Sequence, residues 1–197
     1  PLRLMFRGVW ALTDVGVCIS QAVHRYALRI EGAPAHKLRQ IYYGLPLPAP
    51  RHDRTALRAQ LVSDVAGLPP DGIWVGIFSR LIEQKGIGYG LQAFAQIAAA
   101  HPTTHILIAG DGALRGDLES QTAALGLTGR VHFLGWRTDA PRLMAALDLF
   151  LMPSLWEGFG MTLLEAMSQA VPIIGSTAGA IPEVVKHGET GLNVPTA

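Results

Sequence analysis

Short apolar runs alternate with amphipathic stretches along nearly the whole chain. Runs with strand character cover 15–19, 39–43, 73–78, 105–110, 130–135, 148–152, 171–176 and 191–194. From Ile73 onward they do not alternate strictly between apolar and polar; 73–78 reads IWVGIF. Strands apolar on both faces are what a parallel sheet covered by helices requires. Helical patterns lie between these runs. In 88–100, Leu91, Phe94, Ala95 and Ala98 recur at helical spacing, and in 114–125, Leu114, Leu118 and Leu125 mark one inner face. Residues 139–147 predict a helix with Asp139 as its cap and Pro141 in the first turn, where a missing N–H costs nothing. A further helix is expected over 161–169. The fold class predicted is α/β: a Rossmann-like parallel sheet with helices on both faces. Ligands of such sheets bind outside the carboxyl ends of the strands, so the chemistry is sought in the segments that follow them.

After 73–78 comes SRLIEQKG, with Arg80 and Lys85 in a loop that opens a helix. Two cations beside a helix N-terminus suit a diphosphate, since the free N–H groups and the dipole already favour an anion. Two solvated surface charges would give the same spacing. The order is not that of a Walker loop. After 105–109 comes GDGALRG. Its Gly110 and Gly112 suggest a dinucleotide fingerprint, but the third glycine is one residue too far on, and no acid ends the next strand-like run. Nicotinamide binding is therefore disfavoured, and a tight strand-to-helix turn explains the glycines as well. After 148–152 comes PSLWEGFGMTLLEAMSQA. Gly158 and Gly160 permit a sharp turn that exposes N–H groups ahead of a helix. Glu157 precedes the turn and Glu165 follows it. Leu163, Leu164, Ala166 and Met167 flank Glu165, so that carboxylate must find partners or shift its pKa. Two carboxylates near a diphosphate site would suit the hydroxyls at both ends of a sugar nucleotide. Glu183, near Gly179 and Pro182, stands in the first turn of another helix, where the dipole alone favours an acid.

Composition narrows the partners. The chain has 197 residues and a formal net charge of +1, too near neutral for a protein whose main partner is nucleic acid. The one cysteine, Cys18, excludes an internal disulfide and reads as a buried small side chain in a reducing, cytoplasmic setting. No apolar run reaches the roughly 18–20 residues of a membrane-spanning helix. The apolar run 1–12, punctuated by Arg3 and Arg7, fits a helix of a preceding domain with an exposed apolar face; lying on the inner face of a membrane is the alternative. The seven histidines are scattered without metal-ligand spacing, so neither a metal nor any other cofactor is expected. The Pro-rich segment 44–54 breaks the α/β pattern and reads as an interdomain linker.

The order of SRLIEQKG (79–86), AGDGALRGDLE (109–119), RVHFLGW (130–136), PSLWEGFGMTLLEAMSQAVPII (153–174) and AGAIPEVVKHGETG (178–191) resembles the nucleotide-sugar half of retaining glycosyltransferases of the GT-B architecture, group 1 (glycosyltransferase family 4). The resemblance covers 73–194, and 20–44 resembles the end of the family's N-terminal domain and the crossover from it. It implies three parts: 1–43 as the tail of an acceptor domain, 44–54 as the linker and 55–197 as a donor nucleotide-sugar domain. The rest of the acceptor domain would precede Pro1, and further helices would follow Ala197. The resemblance also implies residue roles. Arg80 and Lys85 would neutralise the donor diphosphate, and Glu157 would hydrogen-bond the transferred sugar. The N–H groups around Gly158, Phe159 and Gly160 would hold sugar or phosphate oxygens, and Glu165 would accept from ribose hydroxyls. Arg130 and Val131 would lie beside the nucleobase, and Gly110 and Gly112 would give the backbone room. The acceptor would be a sugar or lipid-linked sugar held by the preceding domain, and the 197 residues alone would not turn over. Ser79, Tyr43 and the run Ser168–Gln169–Ala170 depart from the usual pattern without touching the charged positions. Rival readings are a sugar-nucleotide epimerase or a phosphorylase on the same fold, the latter needing a pyridoxal phosphate lysine, and a non-catalytic binding module or partner subunit.

Overall fold

The computed structural model describes residues 2–46 and 52–196, with the side chains of Leu2 and Arg3 excepted. Among the described residues, eight α-helices and eight strands follow in the order α1 (Leu2–Leu12), β1 (Gly16–Cys18), α2 (Gln21–Tyr26), β2 (Leu38–Gln40), α3 (Arg54–Asp64), β3 (Ile73–Phe78), α4 (Ile87–Ile97), β4 (Thr104–Ala109), α5 (Arg115–Ala124), β5 (Val131–Gly135), α6 (Ala140–Met144), β6 (Leu149–Met152), α7 (Met161–Ser168), β7 (Ile173–Ser176), α8 (Ile181–Val184) and β8 (Leu192–Val194). Strands β1 and β2 pair in parallel as a small sheet of their own. The others form a six-stranded parallel sheet in the order β5-β4-β3-β6-β7-β8.

Alternate residues of each strand feed two cores, as the doubly apolar runs require. Trp74, Phe78, Leu107 and Phe150 face a layer with Leu57 and Leu61 of α3, Leu143 of α6 and Leu163 of α7. Val75, Ile77, Ile106 and Ile108 face the other way, against Leu91 and Phe94 of α4 and Leu118 of α5. Cys18 sits in a third small cluster with Ala27, Ala33 and Leu38. Burial, and then the charge of Glu31, pushes its thiol pKa up, which agrees with a packing role.

Three local expectations change. Helix α3 is absent from the sequence pattern because only Leu57 and Leu61 of its eleven residues are buried; Asp53 caps it by accepting the Ala56 N–H at 3.1 Å. Asp139 does stand at the N-terminus of α6, but its carboxylate accepts no helix N–H. Arg137 takes it instead, with two hydrogen bonds of 2.8 Å. The run expected at 39–43 forms a strand only over Leu38–Gln40. Of the linker 44–54, residues 47–51 lie outside the described residues, and Arg54 already belongs to α3. In α1 the side chains of Leu4, Met5, Val9 and Leu12 are exposed, as expected; Arg3, invoked for membrane contact, lies outside the described side chains. No helix among the described residues is long and apolar enough to cross a membrane.

The strand order positions the site. The chain starts the large sheet at β3, builds outward through β4 to β5, then returns to the other side of β3 with β6. The connections leaving β3 and β6 therefore diverge to opposite faces and open a crevice at the carboxyl edge between them, the usual ligand position in such a sheet.

Candidate active site

The loop after β3 and the loop after β6 meet across this crevice. Leu155 N–H donates to the Gln84 carbonyl at 2.8 Å, and the Gln84 side-chain amide donates to the Trp156 carbonyl at 3.0 Å. This zipper brings Lys85 to Glu157: Nζ stands 2.5 Å from Oε2, with the two side chains only 14% and 11% exposed. A hydrogen bond between two ionised groups is among the stronger ones available to a protein. The pairing is between residues 72 apart in sequence.

Arg80 leaves the same loop but points to solvent, and its guanidinium has no hydrogen-bond or ion-pair partner among the described residues. The loop from β4 runs alongside, with Ser79 N–H on the Ala109 carbonyl and Leu81 N–H on the Asp111 carbonyl, each at 2.9 Å. The approach is close enough to demand glycine. A Cβ on Gly110, whose φ is +135°, would lie 1.9 Å from the Ser79 carbonyl oxygen, and one on Gly112 would lie 2.5 Å from that of Leu81. These two glycines thus let the two loops touch.

Beyond Glu157 the chain turns through Gly158, Phe159 and Gly160 into α7. The N–H groups of these three residues donate to none of the described residues. The buried Phe159 ring packs against Tyr42 and Tyr43, at centroid distances of 6.0 and 5.6 Å. Glu165 follows one turn into α7. It is half-buried, its carboxylate has no partner among the described residues, and burial raises its pKa. It lines a cleft of about 260 Å³ together with Arg80, Gly110, Thr162, Trp136 and Arg137. A larger groove, about 630 Å³, lies near Val171 and Gly191. It is mostly apolar and has no converging charges, so the chemistry points to the smaller cleft.

Arg80, Lys85, Glu157, Glu165, Gly110, Gly112 and the 158–160 turn therefore share the carboxyl edge. Arg130 and Val131 do not. They open β5, at the opposite edge of the sheet, roughly 16 Å along the strand from its exit. The Arg130 side chain donates to the carbonyls of Thr104 (2.7 Å) and His101 (2.6 Å) and lies over the Phe94 ring. Val131 is buried in the core. The residues that β5 brings to the cleft are Trp136 and Arg137, which the sequence reading passed over. Their only signal was their place directly after Gly135, where the strand ends. Trp136 is 72% exposed. Among the described residues no three His, Cys, Asp or Glu side chains converge as a metal site would need.

A six-stranded parallel sheet with cations, two carboxylates and free N–H groups at its switch point defines an α/β domain of the Rossmann type. The comparisons narrow the class. The profile described as "Glycosyl transferases group 1" matches residues 70–197. The chain is 36% identical over 150 residues to the lipopolysaccharide core biosynthesis mannosyltransferase LpsB of Rhizobium meliloti, covering 73% of this chain and 41% of that protein. HepE of Anabaena, solved in complex with UDP, superposes with a TM-score of 0.86 at 31% identity, over 99% of this chain and 54% of HepE. HepE has also been solved with UDP-glucose. The C-terminal domain of the group 1 protein LpcC from Francisella tularensis is similar at 26% identity and a TM-score of 0.66, over 78% of this chain and 80% of that one. The chain belongs to the group 1 glycosyltransferases, and it spans about half the length, or less, of these full-length relatives.

Proposed function

We propose that this chain is the donor-binding unit of a retaining glycosyltransferase. It would move a sugar from a nucleoside-diphosphate sugar to an acceptor hydroxyl without a metal. The observation that carries the reading is one sheet edge that brings together the Lys85–Glu157 pair, a cleft lined by Arg80 and Glu165, which have no partner among the described residues, and the three free N–H groups of 158–160.

Each group has a fitting role. Arg80 and Lys85 meet the diphosphate, on which negative charge grows as the sugar leaves; cations placed where charge develops favour the transition state. The N–H groups of Gly158, Phe159 and Gly160 add donors for phosphate or sugar oxygens. Glu157, already held by Lys85, faces the transferred sugar and accepts its hydroxyls. Ribose hydroxyls donating to Glu165 would supply the hydrogen bonds that its half-buried carboxylate lacks. The leaving diphosphate needs no protein-bound metal if these groups absorb the charge that develops on it. The acceptor, a sugar or a lipid-linked sugar, would be held by a preceding domain at the cytoplasmic face of a membrane. The 197 residues alone would then bind donor without turning it over. The lipopolysaccharide relatives support an acceptor of this kind.

Calorimetric titration with UDP, GDP and ADP in metal-free buffer tests the reading. One diphosphate should bind, and Glu165→Ala and Arg80→Ala should each weaken it about tenfold or more, the loss of one charge-assisted contact. Binding that is unchanged in both variants, or absent for all three diphosphates, would overturn it.

A further inference from the structure

Glu183 has a role that the reaction chemistry above does not use. Its carboxylate is only 13% exposed and collects donors from a segment some 160 residues upstream. One oxygen accepts the Gln21 N–H at 2.8 Å and the Tyr42 hydroxyl at 3.1 Å; the other accepts the Ala22 N–H at 2.7 Å. Arg25 stands 3.9 Å away. The two N–H groups open α2, where Ser20 caps the next donor, Val23 N–H, at 3.0 Å. Glu183 therefore fastens α2 and the strand that enters it to the donor unit.

Two routes lead from this latch to the crevice. The first runs through the backbone. Glu183 N–H donates to the Ala180 carbonyl, and Ala180 N–H donates to the carbonyl of Glu157, each at 2.9 Å. Gly179 makes that contact attainable: its φ is +55°, and a Cβ there would lie 2.1 Å from the Glu157 oxygen. The second runs through the ring stack. Tyr42, held by Glu183, and Tyr43 beside it pack on the buried Phe159 ring, in the middle of the glycine turn. On the remaining side, Ile19 and Val23 approach the Gly158 backbone, with their methyl carbons 3.7 and 3.6 Å from where a Cβ would stand. The turn that presents the free N–H groups is thus walled by residues that Glu183 holds in place.

We propose that Glu183 is a positioning residue: it pins residues 19–43 onto the donor unit and so fixes the Gly158–Phe159–Gly160 turn in the form that receives the donor diphosphate. Tyr42 and Tyr43 transmit the fixation to Phe159. The reading rests on the proposed function for the identity of the ligand, but not for the mechanical coupling. A carboxylate suits the task because it is an acceptor only and meets two N–H groups and a hydroxyl at once.

The test combines amide hydrogen exchange and ¹⁵N–¹H amide spectra with calorimetry on the 197-residue chain, using UDP, GDP and ADP as probes. Glu183→Ala should speed exchange at the hydrogen-bonded amides of Gln21, Ala22 and Ala180, and should shift or broaden the ¹⁵N–¹H resonances of Gly158, Phe159 and Gly160. Affinity for whichever diphosphate the unsubstituted chain binds should fall about tenfold, as for loss of one supporting hydrogen-bonded group. Glu183→Gln, which keeps one acceptor oxygen, should recover part of both effects. Tyr42→Phe, which removes one hydroxyl and leaves the ring, guards against a Glu183→Ala chain that fails to fold; it should shift the amide resonances of Gly158, Phe159 and Gly160 to a smaller extent. A merely structural latch would lower the unfolding midpoint and speed exchange at Gln21 and Ala22, yet leave the 158–160 amides and the affinity unchanged; that result overturns the proposal. If the unsubstituted chain binds none of the three diphosphates, the donor reading fails, while the amide resonances of 158–160 still decide the coupling.

Discussion

The Lys85–Glu157 pair can be weighed directly. Its charged atoms stand 2.5 Å apart, on side chains 14% and 11% exposed. Removing one member of such a pair leaves the other nearly buried and uncompensated, at a cost of about 3 kcal/mol, the low end of the range for buried pairs. An exposed pair would cost less than about 1 kcal/mol. Lys85→Met keeps the volume and deletes the charge, and Glu157→Gln keeps the shape and deletes the other charge. Each alone should destabilise strongly; the double substitution should cost less than Lys85→Met alone, because no unpaired charge remains. The assay is urea unfolding of all four chains, analysed as a double-mutant cycle. With a urea slope of about 2 kcal/mol per molar, Lys85→Met should lower the midpoint by about 1.5 M. Additive single effects, each under about 1 kcal/mol, would mean that water screens the pair and that the crevice is not preorganised around it.

Acid should loosen the fold before most carboxylates titrate. His105 and His132 stack across β4 and β5 with ring nitrogens 3.0 Å apart, and burial first, then the neighbouring His132 and Arg130, lowers the His105 pKa to about 4. An unfolded imidazole titrates near 6.5, so between these values the unfolded chain holds a proton that the folded one refuses; the contribution is full above about 6.5, and about 3 kcal/mol is lost as pH falls to 4. Glu165 works the other way: its raised pKa favours the fold most below the ordinary carboxylate value, and this benefit is lost as pH rises through the raised one. Urea midpoints at pH 7, 5.5 and 4.5 should decline, and a flat series would contradict the buried neutral pair. Gly179→Ala should cost at least about 2 kcal/mol, because a left-handed backbone and a clash with the Glu157 carbonyl combine; an unchanged thermal midpoint would refute that contact.

The sheet was legible because parallel strands buried on both faces leave uninterrupted apolar runs, and every long run after Ile73 became a strand. Helix α3 was not, because its outward face is polar and two leucines do not make a periodic signal. The same limit applies within the site. Glycines and charges after strands marked the crevice, but spacing gives no sign that Lys85 and Glu157 meet, since the contact is made by two loops from adjacent strands. Arg130 and Val131 were drawn toward the nucleobase by a motif that spans all of β5. The motif does not say which end of the strand faces the ligand; strand direction does, and it brings Trp136 and Arg137 to the cleft instead. Glu183 looked like an acid placed for the helix dipole, and its actual partners are fixed only by the fold.

The central claim is that the donor binds at the carboxyl edge of the sheet. The most direct measurement is a titration of the ¹⁵N-labelled chain with UDP, GDP and ADP, followed by amide and side-chain shifts. The account predicts that one of them moves Arg80, Gly110, the Trp136 indole and the amides of 158–160, and leaves Thr104, Arg130 and Val131 still. Shifts centred on Arg130 and Val131, or on the apolar groove near Val171 and Gly191, would contradict it.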